Sequence, residues 1–84
     1  MRFPTRETVE MLRRQYPAGT LVILEKMDDP HTRLHPGDHG RVIFVDDAAG
    51  VHVAWSNGET LAAIWGEDVI RKAPDQPTDE GAAE

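Results

Sequence analysis

Proline and glycine interrupt the chain so often after residue 16 that nothing longer than a short strand fits between them. Pro17, Gly19, Pro30, Pro36, Gly37, Gly50, Gly58, Gly66 and Pro74 each either fix φ and remove a backbone donor or free the backbone for turn conformations. The stretches between them are rich in β-formers. Residues 20–26 (TLVILEK) and 41–45 (RVIFV) read as strands, 51–55 (VHVAW) alternates, and 59–65 and 69–72 complete the set. Residues 27–37 form a loop, 46–50 a turn and 66–68 one tight turn. Asn57-Gly58 predicts a two-residue type I′ hairpin turn. Short strands with turn signals about every 8–12 residues mark a small barrel. No crossover helix separates them, so a parallel sheet is excluded. The expected fold is mostly β, a small five-stranded closed or nearly closed barrel.

Residues 5–15 precede the strands as a short helix. Thr5 stands at its start, Glu7 and Glu10 in its first turns, and Arg13 and Arg14 in its last, the charge order that suits the helix dipole. Val9, Leu12 and Tyr16 form one apolar stripe. A helix this short is marginal alone, so the stripe is expected to dock on the barrel. Beyond residue 73 no apolar side chain exceeds alanine, and Pro74, Pro77 and Gly81 predict a disordered tail. The organisation read from the chain is an N-terminal helix at 1–16, a barrel at 17–73 and a disordered acidic tail at 74–84.

The tail holds most of the charge imbalance. Removing its four acids, Asp75, Asp79, Glu80 and Glu84, takes the net charge from -6 to -2. At 84 residues the chain is one domain burying only about 60% of its unfolded surface. It has no cysteine, hence no disulfide and no thiol chemistry. No window approaches the roughly 18 apolar residues of a membrane span. A cytoplasmic protein without membrane contact is expected.

Several segments together carry a family resemblance: Tyr16-Pro17-x-Gly19-Thr20, Met27-Asp28-Asp29-Pro30, Pro36-Gly37-x-x-Gly40-x-Val42, Val45-Asp46-Asp47, Val53-x-Trp55-x-Asn57-Gly58 and Gly66-x-Asp68. From Tyr16 to about Lys72 the chain resembles DUF4314, a small domain of bacterial mobile elements and phages. The resemblance implies an SH3-like barrel and assigns no activity. The Pro-Gly-x-x-Gly-x-Val segment is also similar to the opening of KOW and other SH3-like modules, which bind proteins or nucleic acids.

The first strand departs from that family's alternation. Leu21, Val22, Ile23 and Leu24 are all apolar. With Val22 and Leu24 facing inward, Leu21 and Ile23 point outward, because the side-chain period is two. Val42 inside places Ile43 outside by the same rule. The expected core is Val22, Leu24, Val42, Val45, Val53, Trp55 and Leu61. Two readings of the outward Leu21/Ile23/Ile43 set stay open: cover by Val9, Leu12 and Tyr16 of the helix, or a dimer or partner surface. Trp65, ending a strand before Gly66, joins this set as an aromatic at a rim.

Catalytic chemistry finds little support. His31, His35 and His39 lie four apart near Asp28, Asp29 and Asp38, but Pro30, Pro36 and Gly37 preclude the helix on which that spacing would build a zinc site. No metal and no cofactor are expected. Ser56 beside Asn57-Gly58 suits a turn, and the Asp28/Asp29 and Asp46/Asp47 doublets suit loop entries. Residues 36–40 lead into a strand, unlike a phosphate-binding loop. The expectation is a non-enzymatic protein-binding accessory or adaptor module, contacting a protein partner or a second copy through Leu21, Ile23, Ile43 and Trp65. The alternative is a nucleic-acid-binding, KOW-like domain using Arg6, Arg13, Arg14, Arg33 and Arg41, against which the near-neutral body counts. A small anti-defence inhibitor, its acidic surface or tail engaging a nucleic-acid-handling protein, is a further alternative.

Overall fold

A computed structural model describes residues 4–29 and 32–76. It contains a helix, α1 (Arg6–Gln15), and five strands: β1 (Leu21–Lys26), β2 (His39–Val45), β3 (Gly50–Trp55), β4 (Thr60–Ile64) and β5 (Val69–Lys72). The strands form one antiparallel sheet in the order β4-β3-β2-β1-β5. Consecutive hairpins build the first four neighbours, and β5 returns to pair with β1. A bridge between Trp65 and Asp68 links the segments that follow β4 and precede β5. Among the described residues no helix is long and apolar enough to cross a membrane.

The helix begins at a capping threonine. Thr5 is extended and its hydroxyl accepts the Thr8 N–H at 3.1 Å, occupying one of the orphan donors of the first turn. Val9 and Leu12 are buried and belong to the same cluster as Val22, Leu24, Val42 and Val53. The stripe therefore completes the interior of the sheet rather than blanketing its outer face. Arg13 clamps the helix to the end of β2. Its Nε and Nη2 donate to the Val45 carbonyl at 3.1 and 3.0 Å, and Nη2 reaches Asp47 at 2.8 Å.

All seven expected core residues lie in or against that cluster. Leu61 packs at its margin and the other six are buried. The Trp55 indole N–H donates to the Leu61 carbonyl at 3.0 Å, so its one polar atom is satisfied as it enters the core. Gly40 lies under this side chain. A Cβ there would stand 2.8 Å from Trp55 Cε3 and would also collide with Val53, which explains why the strand carries glycine at that point.

The Asn57-Gly58 turn differs from expectation. A type I′ turn needs positive φ at both central residues, yet only Gly58 has it, at 94°. Gly58 N–H donates to the Trp55 carbonyl and Trp55 N–H to the Glu59 carbonyl. The hairpin is thus closed by a three-residue loop, Ser56 to Gly58, with glycine taking the left-handed position. Asn57 Oδ1 accepts the Glu59 N–H at 2.9 Å.

Two long-range side-chain contacts tie the loops to the sheet. Asp68 accepts the Ile64 N–H at 2.8 Å and the Asp28 N–H at 2.9 Å. Gln76 accepts the Leu21 N–H at 2.8 Å and donates to the Leu21 carbonyl at 2.7 Å, behaving like one more backbone unit opposite β1. Residues 74–76, placed in the disordered tail by composition, include this docked glutamine. The rest of the expected tail, residues 77–84, lies outside the described residues.

Candidate functional site

The β2 strand shows how a local irregularity exposes apolar side chains. In register, Val42 faces Val53 and Phe44 faces His52, so Ile43 is the extra residue of a β-bulge. Val42 and Val45 both point inward, at 2% and 5% exposure, while Ile43 and Phe44 stand out at 42% and 50%. A bulge bends a strand and re-aims its side chains. Here it turns two consecutive large apolar groups toward solvent.

Phe44 is held in place. Its ring stacks on His52 with centroids 4.2 Å apart and planes 9° from parallel. His52 Nε2 lies 2.7 Å from Asp46 Oδ2, and Asp46 Oδ1 accepts the N–H groups of Ala48 (2.9 Å) and Gly50 (2.8 Å). Burial pushes the Asp46 carboxyl up, but the bonds from Gly50, His52 and Ala48 outweigh it and hold the group below the ordinary carboxylate value. Turn, carboxylate, imidazole and phenyl ring form one connected support, so the phenyl face is presented with little rotamer freedom left to lose.

Beside it, Arg13, Tyr16, Pro17, Ala18, Ile43 and Phe44 line a groove of about 230 Å³ between the end of α1 and β2. Tyr16 is half-buried, and burial raises its phenol pKa. The Lys72 ammonium lies 5.9 Å from its ring centre.

The residues named from the sequence as an apolar surface are not all displayed. Ile23 points away from the interior cluster as expected, yet it is buried at 7% exposure. On that face Arg71 stands opposite Ile23 and reaches Glu25 at 2.9 Å. Leu21 is half-buried, and its backbone is engaged by Gln76. The helix does not blanket the set: Ile43 remains exposed, lining the groove together with Arg13 of α1. Trp65 is 49% exposed and its N–H donates to the Ala49 carbonyl at 3.1 Å. Phe44 was missed as a surface residue. The signal was present in the three-residue spacing of the two inward valines, which an unbroken strand cannot satisfy.

The arginines are dispersed in role. Arg13 clamps α1, and Arg41 donates to the Gly19 carbonyl at 3.4 Å. Arg6 and Arg14 lie on the helix and Arg33 in the β1–β2 loop, all exposed. Of the loop histidines, His31 lies outside the described residues, and no group of three or more metal-ligating side chains occurs among the described ones. Ser56 forms part of the β3–β4 turn, its N–H donating to the His39 carbonyl at 2.8 Å.

Comparison with known proteins finds one family model, described as a domain of unknown function (DUF4314), matching residues 5–73. No curated protein and no solved structure matches the chain.

Proposed function

The chain belongs to this family, DUF4314, and from that premise we propose that it is a non-enzymatic, protein-binding accessory module. The observation that carries the reading is the bulge of β2, which displays Ile43 and Phe44 side by side against a groove at the end of α1. A few well-packed anchor side chains, aromatic ones prominent among them, supply most of the binding energy near the centre of a protein interface. Phe44 is already immobilised by its stack on His52, so its ordering cost is met before a partner arrives. The engagement of Arg13 with Val45 and Asp47 supports the protein reading over the nucleic-acid one. A cytoplasmic setting belongs to the same proposal.

The test compares wild type with Phe44→Ser. Both are immobilised and exposed to an extract of the native host and, separately, to random DNA and RNA. A protein retained specifically by the wild type at high salt, and lost by a Phe44→Ser variant that melts normally, supports the proposal. Tight nucleic-acid binding that collapses with salt and disappears in Arg6→Ala/Arg14→Ala would replace it.

A further inference from the structure

The sheet has two edges, and they are protected unequally. Strand β5 carries Arg71 and Lys72, and its pairing with β1 is broken by a register shift, two features that discourage further strand addition. Strand β4, Thr60-Leu-Ala-Ala-Ile64, has no charge, no proline and an uninterrupted register with β3. Among the described residues its only strand partner is β3. Trp55 N–H bonds Glu59 and Trp65 N–H bonds Ala49, so the odd-numbered residues of this segment direct their backbone at β3. Thr60, Ala62 and Ile64 direct theirs away from β3. At Ile64 both groups are engaged within the following turn, the N–H by the Asp68 carboxylate and the carbonyl by the Glu67 and Asp68 N–H groups, so the edge available to a partner is that of Thr60 and Ala62.

Along that edge runs a groove of about 490 Å³. Met27, Leu61, Ala62 and Ile64 supply its apolar lining, and Asp28, Asp29, Glu67 and Asp68 its acidic lining. Among the described residues no lysine or arginine lines it. Asp68 spends its carboxylate on the Ile64 and Asp28 N–H groups, whereas Asp28 and Glu67 are exposed.

We propose that the β4 edge docks an extended, basic segment of a partner protein as an added strand, with alternating Lys/Arg and aliphatic side chains. Backbone pairing at Ala62 would supply the generic affinity and the alternation the specificity. The acidic rim selects a cationic strand and disfavours a second copy, which would bring two acidic rims together. This surface goes beyond the Phe44 contact and does not depend on it.

The full chain is panned against a displayed library of random heptapeptides, and the strongest binder is resynthesised. The expected winners alternate basic and aliphatic residues, and their affinity falls about tenfold or more between low and high salt. They lose a similar factor in Asp28→Asn/Glu67→Gln and slow amide exchange at Ala62. Phe44→Ser should bind them normally, which separates failure here from failure of the proposed function. Ala62→Pro removes an edge N–H without touching the β3 ladder and should abolish binding while the fold melts normally. Enrichment of acidic or uncharged peptides, no enrichment, or binding unaffected by Asp28→Asn/Glu67→Gln would overturn the proposal. A dimer formed at high salt and lost in Ala62→Pro would also overturn it, assigning the edge to a second copy.

Discussion

Asp46 and Asp68 pin two turns at the same end of the sheet, joined by the Trp65 N–H to Ala49 carbonyl bond, and they act over very different sequence distances. Asp46 takes its partners from Ala48, Gly50 and His52, none more than 6 residues away. Asp68 takes Ile64 from nearby and Asp28 from 40 residues away. The first closes a hairpin whose strands pair regardless, and it orients the support beneath Phe44. The second braces the β1–β2 loop against the end of β4 and shapes the acidic groove. A side chain that bonds locally refines an element, whereas one that bonds at long range decides where two elements stand relative to each other.

Both turns rest on one core, so the largest effect should come from beneath them. Trp55→Ala should cost about 3–5 kcal/mol, read as a large fall in the melting temperature. An unchanged melt would remove the common frame and with it the basis for comparing the turns. Asp68→Ala should follow at about 1–3 kcal/mol, because it strands the N–H groups of Asp28 and Ile64. Amide exchange should accelerate at both residues together. The corresponding Asp46→Ala variant should accelerate exchange at Ala48 and Gly50 and leave Asp28 alone. If it loosens Asp28 as well, the distinction between a local and a long-range tie fails.

Gln76 offers a third case, a long-range tie outside any turn. Gln76→Ala should cost about 0.5–1.5 kcal/mol, and a chain ending at residue 73 should lose the same amount in chemical denaturation. A truncated chain as stable as the full one would show that the glutamine contributes nothing at Leu21. The smallest effect concerns Asp46 and pH. Its folded pKa lies below the ordinary 3.8, so its stabilisation is fully present above that value and is lost as pH falls through the lowered folded value. With the carboxylate 34% exposed, solvent screening keeps the contribution modest. The stability gap between wild type and Asp46→Asn should therefore narrow on acidification, and a gap that widens would contradict the depressed pKa.

What could be read from the sequence is what depends on neighbours in the chain. The threonine cap, the helical stripe at Val9 and Leu12, and the inward phase of Val22, Leu24, Val53 and Trp55 follow from local propensity and from side-chain period. The five strands follow from proline and glycine spacing. The features that build candidate surfaces were decided elsewhere. Ile43 becomes an extra residue only because Val42 and Val45 must both face the interior across from β3. Ile23 is buried although its strand phase points it outward. The braces of Asp68 and Gln76, and the choice of β4 as the unprotected edge, exist only once β5 has returned to pair with β1. Periodicity sets which way a side chain points, but what it meets is set by contacts between segments tens of residues apart, and no local pattern encodes that pairing.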